Sequence, residues 1–267
     1  MTLTPPPITD LRSLLNLEPV KPDAFMAWGP DLGVGRIYGG QVVAQALRAA
    51  ALTVDDSYAP HSMHAYFVRA GDERQGVLYE VDRVRDGRSF CTRQVVAYQA
   101  GGAILNLIAS FQAAEEGEDH QPRQAPEVPP LETVPDDNNW DLFFEAKLVR
   151  WAATPEPRGL AMMRVTEDLG DDRSMHACAL AYLSDEYPLG IAIAPHSLGS
   201  QWDKMMTASL DHAIWFHRPV RVDQWLSFDL VGHGVGNARG FAQAAVFDAA
   251  GVHVATVAQE GLVRPRR

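Results

Sequence analysis

The sequence predicts an α+β protein made of two similar units, each a helix followed by a run of antiparallel strands. Three observations carry this. An acidic, proline-rich stretch lies close to the middle of the 267-residue chain. An alanine-rich helical pattern precedes strand-like segments on either side of it. Two aromatic segments that begin with histidine, His64-Ala65-Tyr66-Phe67-Val68-Arg69 and His212-Ala213-Ile214-Trp215-Phe216-His217, start 148 residues apart, which is the mark of an internal duplication.

The elements follow in order. Residues 40–52, GQVVAQALRAAAL, hold no proline and read as a helix whose small side chains allow close approach to a curved sheet. After the segment at His64 come three strand patterns at 77–85, 90–99 and 103–112. The turn dipeptides Asp86-Gly87 and Gly101-Gly102 separate them. Residues 113–137 carry eight acids against one arginine, with five prolines. A stretch of that composition buries too little apolar surface to form core and reads as a connector. Beyond it, MHACALAYLSD at 175–185 reads as the second helix, ending on Asp185. After the segment at His212, strands are expected at 225–232, 240–247 and 252–262, with glycine-rich turns at 232–240 and 248–251. The expected division is a first unit at 14–112, a connector at 113–139 and a second unit at 140–265.

Composition bounds the function. With 46% hydrophobic and 21% charged residues the chain is globular rather than fibrous or disordered. A net charge of −11 argues against a nucleic-acid partner, whose phosphates call for a basic face. Apolar runs stay well under the roughly 20 residues of a bilayer-spanning helix, so no membrane insertion is expected. Two distant cysteines, Cys91 and Cys178, fit a reducing compartment, and the first ten residues carry no basic, apolar leader, so a cytoplasmic location is expected. The ending Val263-Arg264-Pro265-Arg266-Arg267 is not of the Ser-Lys-Leu type of peroxisomal address, so a peroxisomal location is not expected.

The motifs of nucleotide, dinucleotide and zinc-protease chemistry are missing. The paired histidines His61/His64 and His212/His217 have no carboxylate set to complete a metal site, so neither metal nor cofactor is expected. Three polar residues interrupt apolar segments of the second half: Asp185, Ser209 and Gln259. A carboxylate acts as general base on water, and a hydroxyl and an amide can hold both. Equally, each has a plain reading, as a solvated acid past a helix, a turn cap and a solvent-facing amide, and the pattern alone leaves function open.

A family resemblance narrows it. Gly39-Gly40-Gln41-Val42-Val43-Ala44-Gln45-Ala46-Leu47, His61-Ser62-Met63-His64-Ala65-Tyr66-Phe67, Arg85-Asp86-Gly87-Arg88-Ser89-Phe90, Ala109-Ser110-Phe111-Gln112, Tyr182-Leu183-Ser184-Asp185, Leu210-Asp211-His212-Ala213-Ile214-Trp215-Phe216-His217-Arg218-Pro219 and Val257-Ala258-Gln259-Glu260-Gly261 resemble the type II acyl-CoA thioesterases. The resemblance implies a double hot-dog fold and hydrolysis of acyl-CoA to free acid and CoA. It puts the family's catalytic trio on Asp185, Ser209 and Gln259, with serine where well-known bacterial members have threonine. It also implies an oxyanion site at a helix start, placed on Gly39, Gly40 and Gln41, and a homodimer or homotetramer. The CoA phosphates make Arg36, Arg88, Arg158, Arg218 and Arg239 candidates for contact. The rival expectation is an acyl-CoA-binding protein of the same fold without turnover.

Overall fold

The computed structural model describes residues 7–137, 143–154, 156–197, 201 and 204–266. These divide into two compact units, one made of Met1–Glu116 with Glu167–Tyr182, the other of Gly117–Thr166 with Leu183–Arg267. The division differs from a cut at the connector because residues 167–182 bond to the first unit. Arg12 N donates to Glu167 (2.8 Å), Arg48 to the Ser174 hydroxyl (2.8 Å), and the Tyr38 hydroxyl to the Tyr182 carbonyl (3.0 Å). The expected start of the second unit at 140, and the end of the connector at 138–139, lie outside the described residues.

The first unit opens with α1 (Leu11–Leu14), capped by Asp10, and the hairpin β1 (Glu18–Lys21) and β2 (Ala24–Ala27). The helix α2 (Gly39–Ala51) follows, then β3 (Tyr58–Phe67), β4 (Val77–Asp86), β5 (Phe90–Gln99) and β6 (Gly102–Ala113), in the antiparallel order β1-β2-β4-β5-β6-β3. Val43, Ala44, Ala46, Leu47 and Ala50 of α2 are fully buried, and α2 lies against β2 to β6. A fully buried valine or leucine contributes about 1.5–3 kcal/mol, while the alanines let the helix sit close. Two glutamines interrupt this apolar helix. Gln45 is satisfied inside the unit: its amide donates to the carbonyls of Leu14 (2.9 Å) and Trp28 (2.8 Å) and accepts from the Tyr79 hydroxyl (2.8 Å).

The second unit holds β7 (Phe144–Ala152), β8 (Arg158–Val165), α4 (Pro188–Ile193), β9 (Met205–Ser209), β10 (Asp211–Phe216), β11 (Leu226–Gly236), β12 (Arg239–Phe247) and β13 (His253–Pro265). Its order is β10-β13-β12-β11-β8-β7, with β9 also on β13. The helix α3 (Arg173–Leu183) starts two residues before the expected one because the Asp172 carboxylate accepts from the N–H groups of Ser174 (2.9 Å) and Met175 (3.1 Å), a side-chain cap.

One expectation is corrected here. Residues 232–236 are strand, not turn: Gly232 pairs with Ala242 and Gly236 with Arg239. The chain reverses at Asn237 and Ala238, both at positive φ (50° and 59°), a two-residue hairpin turn with a twist that suits the flanking strands. The glycines have another use. A side chain on Gly232 would meet the Ile191 carbonyl at 2.6 Å, one on Gly240 the Ala192 methyl at 3.2 Å, and one on Gly261 the Leu189 side chain. Three neighbouring strands thus give up side chains to seat α4. The acidic stretch, in turn, is tied down. Gln121 accepts from His253 N (2.8 Å) and donates to the Gly251 carbonyl (2.9 Å), Arg123 pairs with Asp229 (2.7 Å), and Asp119 pairs with Arg218. No helix among the described residues is long and apolar enough to cross a membrane.

Candidate active site

Asp185, Ser209 and Gln259 come from three separate parts of the second unit. Asp185 does not end α3, as the sequence implies; it stands two residues beyond it, in the turn that leads to α4. Ser209 is the last residue of β9, and Gln259 lies in the middle of β13.

The register explains how they meet. β9 pairs with β13 at Ser209 opposite Gly261, and β10 continues along the same edge with Ala213 opposite Ala258. One extra residue has been absorbed between these pairs, around Leu210 and Asp211. Leu210 N donates to the Glu260 carbonyl (2.9 Å), and the Asp211 carboxylate accepts from Glu260 N (2.7 Å), which supplies a partner where the ladder is interrupted. In a regular strand, residues three apart point to opposite faces. The bulge allows Ser209 and His212 to reach the same Gln259 amide.

The amide is the hub. Gln259 Nε2 donates to Asp185 Oδ1 (2.7 Å) and to Ser209 Oγ (2.6 Å), and Ser209 Oγ donates to Asp185 Oδ1 (3.3 Å). Gln259 Oε1 lies 3.3 Å from His212 Nδ1, and His212 Nε2 lies 2.8 Å from Ser184 Oγ. Gln259, His212 and Ser184 are at most 1% exposed and Asp185 is 9% exposed, so the carboxylate is the least enclosed of these four groups. Burial holds His212 down to about pKa 4, against a smaller opposing effect of the Gln259 hydrogen bond, so the ring is neutral near pH 7. The sequence reading did not place His212 or Ser184 in the site. His212 was visible only as one of a histidine pair, and no spacing joins it to Gln259, 47 residues away.

The other sequence candidates fare differently. Gly39, Gly40 and Gln41 form the first turn of α2, in the first unit. The Gln41 N–H donates to the Tyr38 carbonyl (3.2 Å), and its buried side-chain amide faces Gln45 at 3.5 Å. A side chain at Gly40 would collide with the Tyr182 carbonyl and the Tyr38 ring, so this glycine has a packing reason of its own. Of the five arginines, Arg158, Arg218 and Arg239 are paired with Glu156, Asp119 and Glu260.

A carboxylate steadied on one oxygen by an amide and a hydroxyl suits general-base chemistry on a small nucleophile. Comparison with known proteins shows the family. The family model for the acyl-CoA thioesterase N-terminal domain matches residues 28–112, and that for the C-terminal domain matches 114–263. Human acyl-coenzyme A thioesterase 8 is 37% identical, over 97% of this chain and 91% of that protein. Acyl-CoA thioesterase 2 of Haemophilus influenzae is 33% identical, over 96% and 98%. Among solved structures, the acyl-CoA thioesterase II TesB2 of Mycobacterium marinum superposes with a TM-score of 0.86 at 36% identity, over 96% of this chain and 98% of that one. A hot-dog protein of Alicyclobacillus acidocaldarius, 18% identical with a TM-score of 0.81 and the same coverage of both chains, matches in fold alone. The chain therefore has the double hot-dog fold and belongs to the acyl-CoA thioesterase family.

Proposed function

We propose that this protein hydrolyses acyl-CoA thioesters to a free acid and CoA, using water activated by Asp185. The single observation that carries the mechanism is the convergence of Gln259 Nε2 and Ser209 Oγ on one oxygen of the Asp185 carboxylate. These bonds hold the carboxylate in one orientation and leave the group unable to turn when it takes up a proton. Asp185 accepts a proton from water as the water oxygen bonds to the thioester carbonyl carbon. The tetrahedral oxyanion collapses, the C–S bond breaks, and the CoA sulfur leaves with the pair of electrons and regains a proton from Asp185. Positioned acid–base help of this kind gives about 10²–10⁴-fold in rate.

Donors for the oxyanion are a separate part of the proposal. A helix start offers N–H groups and a positive dipole end, and the turn Gly39-Gly40-Gln41 is the candidate for that chemistry. Assembly as a homodimer or homotetramer and a cytoplasmic location belong to the same reading. Support comes from Tyr66 and Ile108, large apolar side chains 67% and 45% exposed on the adjacent strands β3 and β6, and from two buried free cysteines. Sedimentation at micromolar concentration is expected to give a species above the 29.3 kDa monomer.

Thiol release from acyl-CoA substrates of graded chain length tests the activity. Steady, multiple-turnover release at one or more lengths is expected. Tight binding of every acyl-CoA without release would make this a binding protein of the same fold.

A further inference from the structure

We infer that His212, braced by Ser184, is a positioning residue that fixes which way the Gln259 amide faces; this rests on the reading of Asp185, Ser209 and Gln259 as the water-activating group. The geometry allows only two self-consistent patterns along the chain of bonds. In one, Ser184 Oγ–H donates to His212 Nε2, His212 Nδ1–H donates to Gln259 Oε1, and Gln259 Nε2 faces Asp185 and Ser209. In the other, the imidazole carries its proton on Nε2, the amide is reversed, and Gln259 Oε1 is pressed against the Asp185 carboxylate. Two oxygens with partial or full negative charge at 2.7 Å repel, whereas an N–H and a carboxylate at that distance form a charge-assisted bond.

An amide by itself rotates through half a turn at little cost, and Ser209 accepts or donates equally well. The Asp185 carboxylate favours one orientation from the near side, and His212 Nδ1–H, the donor on the far side, locks it by occupying Oε1. Ser184 Oγ, 2.8 Å from Nε2, supplies the hydroxyl from which a bare Nε2 accepts when the ring proton sits on Nδ1. Ser184 and His212 lie behind the amide, at most 1% exposed, and touch neither Asp185 Oδ1 nor Ser209 Oγ in any of these bonds. Through the bond from Nδ1 to Oε1, His212 acts on the reaction by way of Gln259.

Nitrogen NMR of the wild-type protein labelled at histidine, at pH 7, reads the tautomer directly. A protonated Nδ1 and a bare Nε2 at His212 are expected, and the reverse overturns the inference without any variant needing to fold. Kinetics supply the second readout. His212→Leu removes the donor and is expected to lower kcat about tenfold or more, as misplacement of a reacting group does, with KM within about twofold of wild type. His212→Asn carries an N–H close to the position of Nδ1 and is expected to restore kcat to within about threefold. Undiminished kcat in His212→Leu overturns the inference. Asp185→Asn, measured alongside, separates the two layers: full turnover there removes the base assignment and this inference with it, while loss there with unchanged turnover in His212→Leu removes the inference alone.

Discussion

Ser209 makes two bonds with one hydroxyl, donating to Asp185 (3.3 Å) and accepting from Gln259 (2.6 Å), and the methyl that threonine would add takes part in neither. Ser209→Ala is expected to lower kcat about 10- to 100-fold with little change in melting temperature, because a half-buried hydroxyl is lost and no cavity opens. Ser209→Thr is expected to keep turnover within a few-fold. A thiol-release assay on both variants checks the pair: equal loss in the two would mean that shape, not the hydroxyl, matters at this position. At this scale the trio was legible in the sequence only through likeness to a family, since each polar residue alone had an ordinary reading. His212 and Ser184 were not legible, because their link to Gln259 depends on a one-residue bulge that no local pattern announces.

Elements show where sequence logic worked and where it failed. The strand β5 matches its expected bounds, while the turn before it lies further along than Asp86-Gly87: Asp86 ends β4 opposite Cys91, and Gly87 N donating to the Phe90 carbonyl (2.9 Å) puts the reversal at Arg88-Ser89. Alternation and a nearby turn dipeptide suffice for such hairpins. The run at 232–240 misled because glycine signals two things, freedom at a turn and absence of a side chain in a strand. Here the second applies. The hairpin β1–β2 and the strands β7 and β8 were not picked out, being short or neighbours of the acidic stretch with few turn residues to frame them. The seat of α4 leads to a graded prediction. Gly232→Ala drives a methyl onto the backbone carbonyl of Ile191 and is expected to destabilise by about 1–3 kcal/mol, as overpacking does. At Gly261→Ala the obstruction is the end of the flexible Leu189 side chain, so a smaller cost is expected. Chemical denaturation of both variants checks the ordering.

For the whole molecule, two broad expectations from the sequence agree with what is observed: the double hot-dog fold and membership of the thioesterase family. The acidic middle stretch reads as a connector, and composition records its charge but not its partners. Arg123 and Arg218 supply those partners, from within the stretch and from outside it. Acid stability follows from the titrating groups. His61, His212, His217 and His253 are all shifted below the usual histidine value, chiefly by burial. The unfolded chain therefore binds more protons than the folded one between pH 6.5 and the depressed values, so stability falls as pH drops through that window. Below it, the carboxyls of Asp10, Asp23 and Asp119, held low by hydrogen bonds to Ser13, Arg83 and Arg218, lose their contribution in turn. Urea midpoints taken from pH 7 to pH 4 are expected to fall steadily for wild type and less steeply for His212→Asn, which removes the group that goes to about 4.

The most direct test of the account is the turnover of Asp185→Asn, followed by thiol release from an acyl-CoA that the wild type hydrolyses, with folding checked by circular dichroism. The account predicts a kcat lower by about 100-fold or more, with acyl-CoA binding and melting temperature close to wild type. A folded Asp185→Asn protein that turns over at more than about a tenth of the wild-type rate would contradict it, since an amide cannot take the proton from water.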